Sequence, residues 1–299
     1  MESLAILPAL TLMLPAVAPF LATFFLLWFF RKFCSTSRVR HIRAASRTPF
    51  DPGEIAVLGG ILLAFGLFDP PSILSFSNPE RPMDWIPDLL VAEVLSRTLA
   101  SFFFGQSRSP FPPGITAIPF IVPILLWPLL RQKSGTEAWT LSLATLVSWI
   151  ALHFSVIAGD KEDRSRSRLL LLLLATLTFT TISPLSGSLL LGQLGGGLSA
   201  VMTATLLFSL LTKTSAPLTE CALSLGALLL IGFFYAEIPF PVIGLLLLAL
   251  IAGGLGGRIL RRTPLPGWAA FLLFLALSGV PLGLAVVDAL RSMPSSGAY

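Results

Sequence analysis

The chain has 299 residues, 55% of them hydrophobic and 12% charged, and a mean hydropathy of +0.86. A soluble domain carries about a quarter charged residues, so this composition excludes a water-solvated surface and, with it, a soluble enzyme or carrier domain. The formal charge of +5 lies in short loops between apolar runs, where a topology signal explains it better than nucleic-acid binding does.

Apolar runs of the length that crosses about 30 Å of hydrocarbon recur from end to end. The opening "MESLAILPAL" has no basic region and no small-residue cleavage site, so the first run is expected to be a retained helix and not a signal peptide. That run covers 4–30 and is expected to bend at Pro8, Pro15 and Pro19, as membrane helices tolerate when neighbours satisfy the freed carbonyls. Loop 31–48 includes "RKFCSTSRVRHIRAASR", with six Lys or Arg and no acid, and is expected in the cytoplasm. A short run, 54–69, precedes the loop 69–88, whose one Arg against four acids places it outside. After 89–104 come runs at 112–130, 140–158, 169–191, 194–212, 217–237, 239–257 and 268–290. Two further basic loops, "GDKEDRSRSR" (159–168) and "GRILRR" (257–262), are expected to be cytoplasmic.

The stretch 89–104 decides the topology. Without it there are nine helices, and the loops 31–48 and 159–168 fall on opposite sides despite their shared basic character. With it there are ten, both loops are cytoplasmic, and so is 257–262. The cytoplasmic segments then hold 15 basic residues, against four outside: Arg81, Arg131, Lys133 and Arg291. The sequence therefore predicts an all-α polytopic transmembrane bundle of about ten helices, one domain over 1–299, with both termini outside. In the nine-helix alternative, 89–104 is an amphipathic helix lying at the interface.

If 89–104 spans, Glu93 and Arg97 each carry an insertion penalty of roughly 2.5–3.5 kcal/mol at mid-membrane. Their i, i+4 spacing with the acid first favours a pair on one helix face. They read either as an ion pair that locks the helix into the bundle or as a proton or cation relay, Glu93, whose pKa Arg97 controls. His153, in "SWIALHFSV", is the one histidine inside a predicted span, and is a hydrogen-bonded packing residue or a further relay member. The other histidine, His41, is in a loop, so no haem or copper site is expected. Glu220 and Glu237 near the ends of 217–237, and Asp288 near the end of 268–290, are expected to snorkel to the interface; Glu220 and Asp288 are weaker candidates for the ion path. Tyr235 and Trp268 look like interface anchors.

The glycine runs "GQLGGGLSA" (192–200) and "AGGLGGR" (252–258) have no βαβ context for phosphate binding. Gly192 with Gly196, and Gly253 with Gly257, have the spacing of close helix packing; 192–200 also reads as a tight hairpin between two helices, and similar residues would serve a discontinuous helix at an ion site. Cys34 and Cys221, the only cysteines, suggest neither a disulfide framework nor a metal site. No internal repeat, catalytic constellation or cofactor motif is evident.

Several stretches resemble the membrane subunit shared by proton-pumping NADH dehydrogenases (their subunit 1) and energy-converting hydrogenases. "AVAPFLATFFLLWFFRK" followed by "RVRHIRAASR" is similar to that family's opening helix and basic cytoplasmic segment. "DLLVAEVLSRTLASFFFGQSRSPFPPGITAI" resembles its third helix and the following loop, and "GGRILRRTPLPGWAAFLLFLALSG" its last turn and helix. The family's acidic loop carries Pro-Phe-Asp and several glutamates; the corresponding place here reads "GDKEDRSRSR", while Pro49-Phe50-Asp51 stands earlier in the chain. The family has eight helices as a rule, so no site residue is carried over. The resemblance implies a buried subunit of an ion-translocating complex.

Together these readings lead to a non-catalytic subunit of a redox-linked, ion-translocating membrane complex, packed against other membrane subunits in a bacterial cytoplasmic membrane. A small secondary transporter is the rival, with Glu93, Arg97, His153 and the hydroxyls of "TLTFTTISPLSGS" (176–188) as its polar residues. A lipid-handling or assembly factor is the third reading.

Overall fold

The structure, a computed structural model, describes residues 17–32, 52–68, 84–104, 118–157, 165–214, 217–260 and 266–291. These form ten helices and, among the described residues, no strand. The helices are α1 (17–32), α2 (Pro52–Phe68), α3 (Trp85–Phe104), α4 (Ile118–Leu130), α5 (Gly135–Ile157), α6 (Ser165–Leu185), α7 (Leu189–Thr212), α8 (Thr219–Tyr235), α9 (Phe240–Leu260) and α10 (Gly267–Arg291). Four of them, α5, α6, α7 and α10, are long and apolar enough to cross a membrane by length and composition. At 17 residues each, α2 and α8 span about 25 Å, a few ångströms short of a bilayer core.

Each expected run contains a helix, but several ends move. α5 begins at Gly135 instead of 140 because Ser134 and Glu137 make a favourable start: the Ala138 amide donates to the Ser134 carbonyl at 2.8 Å, and Glu137 places negative charge in the first turn. The stretch "SRSR" at 165–168, read as loop, is the first turn of α6, with Ser165 and Arg168 buried.

The largest correction concerns the α6–α7 connection. The expected helix over 169–191 ends at Leu185, and the expected turn within 192–200 does not form. Gly187 takes φ +87°; the Ser188 amide donates to the Ser183 carbonyl at 2.9 Å and the Gly187 amide to the Pro184 carbonyl at 3.0 Å. That pair of bonds is the Schellman termination. α7 starts at Leu189 and carries the glycine run inside it.

Those glycines are packing residues. A Cβ at Gly192 would lie 2.6 Å from the Pro184 ring and one at Gly195 2.7 Å from the Thr180 hydroxyl, so α7 sits closely on α6. A Cβ at Gly197 would lie 2.7 Å from Ala64 of α2, whereas Gly196 has only ordinary contact distance to Thr180. In α9, Gly253 meets Leu171 and Gly254 meets the Ser155 backbone; the side of Gly257 lies outside the described residues.

α6 with α7, and α9 with α10, are the most extensive helix pairs. α8 lies between the pairs and packs against α2, α3, α5, α6, α7 and α9. One apolar core joins α2 through α10. A smaller one, Leu27, Ala56 and Phe208, attaches α1 to α2 and α7.

Candidate functional site

The candidate residues are best placed by starting from α8. Every residue from Thr219 to Gly232 is buried, so this helix is enclosed on all sides. Glycines let neighbours close on it: a Cβ at Gly226 would collide with the Trp149 indole of α5, and one at Gly232 would lie 2.9 Å from Ile238 and Phe179. At its far end the Tyr235 hydroxyl donates to the Leu125 carbonyl of α4 at 2.8 Å. α4 contains Pro123 and Pro128; the latter supplies no N–H to the Ile124 carbonyl and loosens the neighbouring rung. Tyr235 is therefore a cross-brace as well as a helix-end aromatic.

Glu220 is 0% exposed, in the first turn of α8. The expectation that it snorkels is incorrect: the helices packed around α8 enclose the side chain and leave none of it at the surface. Ser224 donates to the Glu220 carbonyl at 2.7 Å. His153 is also 0% exposed, one helical turn past Trp149 on α5. The Trp149–Gly226 contact sets the register between these helices. From it, His153 lies about 6 Å and Glu220 about 9 Å along their helices, both toward the same end of the α5–α8 pair.

Glu93 is 3% exposed on α3, which packs against α2, α4 and α8. The side chain of Arg97 lies outside the described residues, as does that of Trp268. Asp288 is half-buried in the last turns of α10, a helix that packs chiefly on α9 and α6. It is not among the groups gathered around α8. Glu237 is exposed between α8 and α9 with φ 53°.

The hydroxyls of 176–188 do not converge on a polar site. Thr178, Thr180, Thr181 and Ser183 donate to carbonyls four residues back in α6 at 2.8–3.0 Å. Thr176 bonds the Leu172 carbonyl at 2.7 Å and touches the Met202 sulfur at 3.4 Å. This back-bonding satisfies Ser and Thr inside an apolar bundle. Among the described residues no group of three or more His, Cys, Asp or Glu could hold a metal ion.

Two features escape sequence reading. The first is a cavity of about 320 Å³ between α5, α8 and α9, whose wall includes Thr145, Ser148, Trp149, Gly226, Phe234 and Phe240. Its hydroxyls are spent on their own helix, Thr145 on the Leu141 carbonyl at 2.9 Å and Ser148 on the Ala144 carbonyl at 2.8 Å. The Trp149 indole N–H has no hydrogen-bond partner among the described residues. The second is the acidic start of α3, where Asp84 is buried and Asp88 follows one turn later, just before 89–104. Burial first, and the Asp84 charge second, hold the Asp88 carboxyl above its usual range. The positive end of the helix dipole offsets part of that cost.

No protein family, curated protein or solved structure matches this chain.

Proposed function

We propose that the chain is a multi-pass integral membrane protein of ten spans, acting as a non-catalytic, proton- or cation-handling subunit of a larger membrane complex. The observation that carries this reading is the burial of Glu93, His153 and Glu220 within apolar helices, with Glu220 on α8 itself and the other two on helices packed against it. Ionisable groups inside a membrane are costly, and they persist where they hold or move charge. The apolar outer faces of α5 and α10, including Leu143, Val147, Val280 and Leu284, suit lateral packing against other subunits or lipid. The resemblance of 16–47 and 88–118 to the membrane subunit of proton-pumping dehydrogenases and hydrogenases points the same way, and a bacterial cytoplasmic membrane is its setting. The carrier reading has less behind it, because the hydroxyls it needs are bonded within α6.

Gentle detergent extraction followed by native mass measurement tests the proposal. Co-purification with metal- or flavin-containing subunits is expected; recovery as a lone monomer that a small solute stabilises would overturn it. An Arg108→Cys variant tests the ten spans, with labelling expected from the cytoplasmic side. Labelling only from outside would restore the nine-helix arrangement.

A further inference from the structure

The groove between α5, α8 and α9 is long and thin. On α5 it runs from Leu141 to Leu152, about 16 Å at 1.5 Å per residue. Over that length a volume of about 320 Å³ makes it a slender groove, open along one side. A helix with its side chains is about 10–12 Å wide and does not fit, whereas a single extended hydrocarbon chain does. The wall agrees with that shape: it is almost wholly apolar, and the hydroxyls of Thr145 and Ser148 are internally bonded.

The two ends differ. Toward mid-bundle the groove closes on Trp149, 4% exposed, wedged against Gly226. Toward the other end stand Leu141, Phe234 and Phe240, beside the turns that precede α5 and join α8 to α9. Those turns and the first turn of α5 carry Lys133, Glu137 and Glu237, and Arg131, whose guanidinium lies 4.8 Å over the Trp127 ring of α4; all four are exposed. Two of the four basic residues that the topology leaves on the outer side, Arg131 and Lys133, are thus in this one turn. Mixed charge at the rim complements a headgroup that bears both a phosphate and an ammonium.

We infer that this groove seats one acyl chain of a zwitterionic membrane phospholipid, its tail ending at Trp149 and its headgroup at the Arg131–Glu137 and Glu237 rim. The inference rests on the multi-pass membrane reading above. It makes the α5–α8–α9 seam a defined lipid site, distinct from the general lipid contact of α5's outer face.

Bromine on an acyl chain quenches tryptophan at contact, and Trp149 is shielded from bulk lipid unless a chain enters the groove. The test uses the full chain with Trp28, Trp85, Trp127, Trp139 and Trp268 changed to Phe, reconstituted in dioleoylphosphatidylcholine or its dibrominated form. A control carries Val147→Trp and Trp149→Phe, placing the indole at matched depth on a position 63% exposed in the native chain. Quenching of Trp149 by half or more is expected, falling at least twofold when Ala144→Phe fills the groove.

If the control is quenched and Trp149 is not, the groove is filled by protein and the inference fails while the membrane reading stands. If neither is quenched, both fail. Quenching of Trp149 that Ala144→Phe leaves unchanged also overturns the site. Should that variant not fold, headgroup preference decides: brominated phosphatidylethanolamine is expected to quench Trp149 more than brominated phosphatidylglycerol, with no such difference at the control. Equal quenching would overturn the zwitterionic assignment.

Discussion

α8 and α10 are both apolar on every side in sequence, yet they occupy opposite environments. Along α8, fourteen consecutive residues from Thr219 to Gly232 are buried. Among the described side chains of α10 the buried ones form a stripe, Phe274, Ser278, Leu282, Ala285 and Ala289, spaced as one helical face. The glycines divide the same way: Gly226 and Gly232 of α8 are pressed by neighbours, while a Cβ at Gly279 or Gly283 of α10 would meet nothing within 4 Å. In a bundle whose helices are apolar inside and out, apolarity is no measure of depth. Close backbone approach is.

Glycine substitutions separate the two helices by the largest expected effect. Gly226→Leu drives a branched side chain into the Trp149 indole and is expected to cost about 3 kcal/mol, the upper range for overpacking. Gly279→Leu enters open space and is expected to stay within about 0.5 kcal/mol. Thermal unfolding midpoints in detergent, followed by helical circular dichroism, measure both. Equal losses would mean that α10 is enclosed as α8 is.

The next contrast is between acids. Glu220 is fully buried and makes interactions inside the bundle, so Glu220→Ala is expected to cost about 2 kcal/mol, within the range for breaking a buried polar contact. Asp288 lies in the last turns of peripheral α10, and Asp288→Ala is expected to change stability by under about 0.5 kcal/mol. If the two variants unfold together, Glu220 has no special place in the core.

Why the sequence separates these acids poorly is a matter of physics. Glu220 and Asp288 both sit near the ends of apolar runs, where snorkelling is the natural expectation. Only the packing of six neighbours around α8 removes Glu220's path to water. Helix existence is legible, because a long apolar run without strand periodicity satisfies its own backbone groups as a helix. A helix at 85–104 is common to both readings of that stretch, the crossing that the loop charges favour and the interfacial alternative. The α6–α7 turn is not legible: Ser186-Gly187-Ser188 is brief, apolar residues resume at Leu189, and the richer glycine run after it attracts the assignment. In an apolar bundle those glycines serve approach between helices and not reversal of the chain.

A smaller effect tests the attachment of α8 to α4. Tyr235→Phe deletes the bond to the Leu125 carbonyl and is expected to cost about 1 kcal/mol. Loss of order should be confined to the end of α4 near Pro128, read as faster amide exchange there. Unchanged exchange would show that α4 needs no brace from α8.

The smallest expected effect lies at the start of α3, at the edge of the buried core. Because burial, and then Asp84, raise the Asp88 carboxyl above its usual 3.8, the folded chain binds that proton more readily than the unfolded one. Stability from this group is therefore gained as pH falls through the raised value and is lost as pH rises through it. Asp88 is half-buried, so solvent screening keeps the effect to about a few tenths of a kcal/mol. Asp88→Asn should flatten the stability profile on the alkaline side of the ordinary aspartate value of 3.8, measured as the difference in unfolding midpoint between variant and parent. A parent that weakens on acidification relative to the variant would reverse the sign, making the helix dipole, and not burial, the dominant force on this carboxylate.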